Sequence, residues 1–142
     1  GREGQEAGGR KLMDALTVEI VTPEASIFSG RAKEVLLPAW EGELGVLPDH
    51  DALLTLVKAG RAVVYTTEGT RHWIIGRGFA DLGQDHVTLL TDRAVPIEQV
   101  DKAEATKLLA EAHETMNTDQ IQTEAYKQAQ LRAEWAQALL DA

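Results

Sequence analysis

Cysteine is absent from the 142 residues. Without it there is no disulfide framework, no thiolate metal site and no cysteine nucleophile. Such a chain suits a reducing compartment, and equally an oxidising one in a protein that needs no staples. Basic residues are scarce: 14 Lys and Arg stand against 23 Asp and Glu, for a formal net charge of −9. That balance argues against a nucleic-acid binder, whose affinity comes largely from neutralising phosphates. It also argues against adsorption to anionic lipid. Long apolar runs are missing too. Nothing approaches the roughly 20 consecutive residues of a membrane helix, so direct membrane insertion is not expected.

What is present divides near Pro96. Residues 1–12 are glycine-rich, polar and without period, with no apolar core for a secretory signal. They are expected to be a cloning remnant or a flexible tail, with the natural start at Met13. From 13 to 96 the chain reads as β-structure. Short runs (LTVEIV, KEVLLPAW, ALLTLV, RAVVYTT, RHWIIG and HVTLLT) are separated by turn signals. Leu16, Val18 and Ile20 sit two apart, which buries one face of the first strand. Thr66-Thr67-Glu68-Gly69 marks a hairpin. Strands this short and this regularly punctuated predict an antiparallel β-sandwich or barrel.

From 97 to 142 there is neither proline nor glycine, and Ala, Glu, Gln, Lys and Leu dominate. Pro96 suits a helix start. Ala105, Leu108, Leu109, Ala112 and Met116 form one apolar stripe, and Ile121, Ala125, Ala129, Ala136 and Leu140 a second. Asn117 suits the end of the first helix, and Thr118 or Asp119 the cap of the next. The tail is therefore predicted to be a helical hairpin with arms of roughly 20 residues. The fold class is α+β: an N-terminal antiparallel β-sandwich followed by a C-terminal α-helical hairpin. Its stripes are narrow and rich in alanine. The hairpin would be marginal alone and must rest on the sandwich or on a partner.

No catalytic constellation emerges. His50, His72, His86 and His113 have no metal-ligand spacing, and there is no nucleophile elbow. Gly76-Arg77-Gly78 lacks the rest of a dinucleotide fingerprint and reads as a bulge or tight turn. Glu41, Glu43, Asp49 and Asp51 lack the ligand positions of a calcium loop. Neither a metal nor a cofactor is expected. The chain reads as a binding or regulatory module, with a free-standing β-sandwich that binds a ligand or peptide as one alternative. A small enzyme using the Glu41–Glu43 pair is another.

The segment PAWEGELGVLPDHDALLT, Pro38 to Thr55, is the most informative. It is expected to be a long turn-rich loop folded back on the sandwich, offering an interaction edge. EGELGVLPDHDALLT resembles the signature of the epsilon subunit of F-type ATP synthases, the counterpart of mitochondrial delta. LTVEIVTPEASIFSGRAKEVLLPA and IIGRGFADLGQDHVTLLTDRAV resemble the same family, in the same order. Ala52 stands where that family usually has proline.

The resemblance implies a non-catalytic central-stalk subunit, peripheral on the cytoplasmic face of the bacterial inner membrane. It would link the gamma subunit to the c-ring. Its helices would reach the catalytic alpha/beta head in an extended state that inhibits ATP hydrolysis. By position, Glu43 and His50 match residues that meet the c-ring, and Glu41 and Asp49 adjoin them. Gamma is expected on the sandwich side away from the hairpin, at exposed apolar residues including Trp40 and Phe79. Lys127 and Arg132 are the basic residues available on the last helix for the head. The tail from Glu98 carries 4 basic and 9 acidic residues, which weakens electrostatic inhibition. Some family members bind ATP through [IL]-D-x-x-R-A. Here the stretch is Val100-Asp101-Lys102-Ala103-Glu104-Ala105, with Glu104 replacing the arginine, so no nucleotide is expected.

Overall fold

The computed structural model describes residues 15–142 in full and, before them, only the backbone of residues 6, 7, 10 and 11. The tail expected over 1–12 and the start expected at Met13 lie outside the residues described in full. Two short strands, β1 (Glu6–Ala7) and β2 (Arg10–Lys11), pair with each other. The main sheet comprises β3 (Leu16–Val21), β4 (Ser26–Ala32), β5 (Glu34–Ala39), β6 (Gly42–Val46) and β7 (Leu53–Val57). It continues with β8 (Gly60–Thr66), β9 (Gly69–Ile75), β10 (Gly78–Leu82), β11 (His86–Thr91) and β12 (Ala94–Pro96).

These strands run in the order β12-β9-β8-β5-β7-β10-β11-β3-β4, with β6 along the free side of β5. The path folds over between β5 and β7, where Ala39–Val57 is the pairing. Leu16, Val18, Ile20, Val35, Leu37, Trp73, Ile75, Leu82 and Leu89 fill the space between the two layers. Trp73 is 1% exposed and meets the Phe28 ring edge-on at 5.2 Å. All pairs in the main sheet are antiparallel except β11 with β3. Both strands start from the same end of the sandwich, where the Thr17 amide donates to the Asp85 carbonyl at 2.8 Å.

In β8 and β9, Ala62-Val63-Val64 and Trp73-Ile74-Ile75 are buried without a break. Successive side chains of a strand take opposite faces, so this layer is covered on both sides. The core lies on one side and the C-terminal helices on the other. Helix α1 (Lys102–Thr118) and helix α2 (Glu124–Leu140) form the hairpin, and α2 lies against β8 and β9. The seam between the helices is made of Ala112, Ala129 and Ala133, with Leu109 and Met116 against them. Small side chains let the two helices approach closely.

Several expectations are corrected by local chemistry. Pro38 to Thr55 is not one long loop. Leu36, Pro38 and their neighbours pair with β6, and β7 begins at Leu53. The glycines that suggest a loop are compatible with β6: Gly42 has φ +136° and closes the two-residue turn Trp40-Glu41, and Gly45 lies in an exposed edge strand. Helix α1 does not start at Pro96, which closes β12; a 3₁₀ turn over Ile97–Gln99 intervenes. Asp101 is the cap, its carboxylate accepting from the Glu104 amide at 3.1 Å. Nor does α1 end at Asn117. It runs to Thr118, and Thr123 rather than Thr118 or Asp119 caps α2. Ile121 therefore lies before α2 and is 69% exposed, and Ala133 takes a place in the seam. The arms are 17 residues each.

Candidate interaction surfaces

Strand β6 separates the acidic residues of the signature. Trp40 and Glu41 form the β5–β6 turn, Glu43 lies exposed on β6 opposite Pro38, and Asp49 and His50 lie beyond the other end. Five residues of strand span roughly 16 Å, so Glu41 and His50 mark two ends of one edge. Asp49 has φ 70°, and its amide donates to the Gln84 carbonyl at 2.7 Å. That bond ties the β6–β7 connection to the β10–β11 turn. His50 Nδ1 lies 2.6 Å from the Asp51 carbonyl. Glu41 and Glu43 therefore lie exposed along a surface edge. Among the described residues no group of three His, Asp or Glu is placed to hold a metal.

One row on the outer face of the other layer is apolar, beside a polar row of Asp81, Thr88 and Glu19. Leu56 pairs with Phe79, Phe79 with Leu90, and Leu90 with Val21. Leu54 stands two residues from Leu56 on the same face. Leu54 and Leu56 are 68% and 61% exposed, and Phe79 is 42% exposed. Phe79 belongs to this row. Trp40 sits at a corner: its amide donates to Leu56, while its ring lies under the Arg77 guanidinium at 5.7 Å, on the hairpin side. The two expected gamma residues are thus not on one flat face. In the sequence Leu54, Leu56 and Leu90 fall within ALLTLV and HVTLLT, where an outward leucine looks like an inward one, and Phe79 lies outside both runs.

A third surface joins the layers to the hairpin. Arg77 lies in the turn between β9 and β10. A Cβ at Gly76 would strike the Asp92 side chain, and one at Gly78 the Leu90 carbonyl, so only glycine allows the two chains this close. The buried Thr91 hydroxyl lies within 2.9 to 3.2 Å of the Gly76, Arg77 and Arg93 carbonyls, locking that turn to the β11–β12 loop. From this platform Arg77 pairs with Glu134 of α2, and the Arg93 guanidinium lies 5.2 Å from the Trp135 ring centre. The hydrogen bond to Glu134, opposed by partial burial, holds the Arg77 guanidinium above the usual arginine range. Lys127 and Arg132, expected to face the catalytic head, make no ion pair among the described residues. The sequence gives no sign of the Arg77–Glu134 pair, because residues 57 apart carry no local signal.

A family model described as the ATP synthase delta/epsilon chain beta-sandwich domain matches residues 15–97. The chain belongs to the ATP synthase delta/epsilon family. The ATP synthase epsilon chain of Nitratiruptor is 42% identical over 101 residues, covering 70% of this chain and 78% of its own. That of a Synechococcus strain is 37% identical over 130 residues, covering 89% and 92%. A chain in the structure of the Euglena gracilis mitochondrial ATP synthase, which contains OSCP, F1 and the c-ring, superposes with a TM-score of 0.78 at 24% identity. It covers 98% of this chain and 87% of its own. As a family member the protein is a non-catalytic stalk subunit of an F-type ATP synthase, with a β-sandwich and two helices. Among the described residues no helix is long and apolar enough to cross a membrane.

Proposed function

We propose that this subunit links gamma to the c-ring in the rotor, and that its hairpin restrains ATP hydrolysis. The observation that carries the reading is the exposed row Leu56–Phe79–Leu90 with Leu54 beside it. Monomeric soluble proteins seldom leave so much contiguous apolar side chain in water unless a partner covers it. Gamma is the proposed occupant. The charged edge with Glu41, Glu43, Asp49 and His50 is the proposed contact with the polar loops of the c-ring. Charges on a rim fix register and encounter more than affinity, which suits a joint that transmits torque between parts held elsewhere.

The thin attachment of the hairpin supports a regulatory role. Its seam is largely alanine, and its docking rests on Arg77–Glu134, Arg93–Trp135 and a small apolar patch around Ile74 and Ala138. Such an element can leave the sandwich at low free-energy cost. Lys127 and Arg132 are the proposed contacts with the alpha/beta head. The proposed location is peripheral, on the cytoplasmic face of the inner membrane. Neither a nucleotide nor a metal is part of the proposed mechanism.

The test is co-expression with the gamma subunit. The wild-type chain should co-purify with gamma, and Phe79→Asp should not, while keeping its circular dichroism spectrum and melting transition. Retention of the Phe79→Asp variant by gamma would overturn the assignment. Removing the residues after Pro96 should raise the ATPase rate of the reconstituted head without loss of gamma binding. An unchanged rate would refute the inhibitory role.

A further inference from the structure

We propose that Thr91 is a positioning residue, whose buried hydroxyl makes the Arg77–Glu134 and Arg93–Trp135 contacts act as one. Thr91 ends β11 and is 5% exposed. Among the described residues only Thr22 and Thr91 are polar and buried. Thr22 bonds within its own turn, to Ala25 three residues on. Thr91 instead sits between two loops. Its hydroxyl has one proton to give, and three carbonyl oxygens surround it: Gly76 at 2.9 Å, Arg93 at 3.1 Å and Arg77 at 3.2 Å.

The Arg77 carbonyl also accepts the Asp92 amide at 3.0 Å, and the Arg93 carbonyl the Gly76 amide at 2.9 Å. The Gly76 carbonyl is the nearest to the hydroxyl and takes its proton. Three carbonyl dipoles gathered about a hydroxyl have a donor to share. Gathered about a methyl group they repel one another in a site that water does not reach. Relief requires the two loops to part. Each loop carries one cation of the docking. Arg77, in the β9–β10 turn, pairs with Glu134, and Arg93, in the β11–β12 loop, lies 5.2 Å from the Trp135 ring centre. Glu134 and Trp135 are neighbours on α2, so the two cations must keep a fixed separation to hold both at once. The hydroxyl sets that separation, although its own hydrogen bonds go only to the loops.

Amide exchange in the whole chain is the measure. Thr91→Val replaces the hydroxyl by a methyl of similar size. Exchange in α2 should then quicken roughly fivefold, while that of Val18 and Val87 in the paired strands β3 and β11 stays within about twofold. Thr91→Ser keeps the hydroxyl and should restore slow exchange. Adding Glu134→Gln to Thr91→Val should bring less than about a further twofold, because Arg77 is then already out of place. Should Thr91→Val lack a melting transition, Thr91→Ala removes the same hydroxyl with less bulk and is read in the same way. Wild-type exchange in Thr91→Val, no recovery in Thr91→Ser, or an undiminished effect of Glu134→Gln would each overturn the proposal. So would equal quickening in α2 and β3, which is what a threonine needed only for the sandwich would give. The link to ATP hydrolysis rests on the proposed restraint: readier release should lower the ATPase rate of the reconstituted head about twofold or more. Quicker exchange in α2 with an unchanged rate would keep Thr91 in this role and overturn the restraint instead.

Discussion

Glu134 of α2 receives both Arg77 Nε, at 2.8 Å, and Arg77 Nη2, at 2.6 Å, across the boundary between sandwich and hairpin. The side chains are 43% and 34% exposed, so solvent screens the pair, and its worth is about 1 kcal/mol or less. Two parallel bonds also fix orientation. Glu134→Gln should leave the sandwich melting transition unchanged and speed amide exchange in α2 roughly fivefold, the equivalent of about 1 kcal/mol. Arg77→Lys should do nearly the same, because an ammonium cannot supply the fork. Unchanged exchange in both variants would assign docking to the Arg93–Trp135 contact and the apolar patch around Ile74.

Salt and alkali should act differently on that joint. A half-exposed ion pair weakens as the Debye length falls from about 10 Å at 0.1 M to 3 Å at 1 M salt. Exchange in α2 should therefore quicken with added salt. The Arg77 pKa is raised in the folded state, so its contribution is present in full below the ordinary arginine value and is lost only as pH rises through the higher folded one. Between pH 7 and 10 Arg77 keeps its charge, and no alkaline release of the hairpin is expected from this pair. Exchange data corrected for intrinsic rates give the check; release by pH 9 would point to another titrating group.

The charged edge should matter for coupling and little for folding. Glu43 is exposed on an edge strand, opposite Pro38. Glu43→Lys should reduce proton or sodium pumping per ATP in reconstituted vesicles by a modest factor, about fivefold at most for a rim contact. The melting temperature should stay within a degree or two. Full coupling in the variant would remove Glu43 from the proposed c-ring contact.

ATP should bind weakly or not at all. The cleft between the helices is lined by Glu104 and Glu111 as well as Lys107, and the Glu104 amide caps onto Asp101. Carboxylates there repel a triphosphate, each by about 1 kcal/mol at moderate distance. Lys102, the remaining cation of the motif, donates instead to the Leu140 and Ala142 carbonyls at 3.0 and 2.8 Å. Calorimetry of the isolated chain with ATP should show no saturation below the millimolar range. A low-micromolar constant would mean that α1 repacks to bring Lys102 and Lys107 onto the phosphates.

Trp73 should be the costliest single truncation in the sandwich. It is fully buried against Phe28, with the Arg71 guanidinium 4.9 Å from its ring centre. Trp73→Ala should destabilise by about 3–5 kcal/mol, read as a shift of the denaturant midpoint. A loss below 1 kcal/mol would mean that the core collapses around the gap.

Strands with strong β-branched or alternating runs are legible in the amino-acid order alone. LTVEIV, RAVVYTT and HVTLLT correspond to β3, β8 and β11. Periodicity does not reveal β4, β6, β10 and β12. SIFSGRA and GELGV carry glycine and charge because they run along edges, and GFADL and AVP are short. The helical hairpin is plain from the lack of proline and glycine, but its caps are not. Asp101 and Thr123 compete with equally good capping residues nearby, and only the geometry chooses among them. Resemblance alone singles out the signature residues Glu43 and His50. The Arg77–Glu134 joint arises from folding distant segments together, which no local pattern encodes.

The parallel pairing of Val18 with Val87 has a consequence for synthesis on the ribosome. β3 is the first strand of the sandwich to emerge, and it can make a hairpin with β4 at once. Its other edge must wait until β11 has been translated. Through that interval the growing chain carries Leu16, Val18 and Ile20 on an unclosed sheet, the kind of edge that nascent polypeptides pair wrongly. Closure is a non-local event of high sequence separation, which slows folding. The helical hairpin is made last, after β11, so β3 and β11 can close the far layer before α2 docks on β8 and β9.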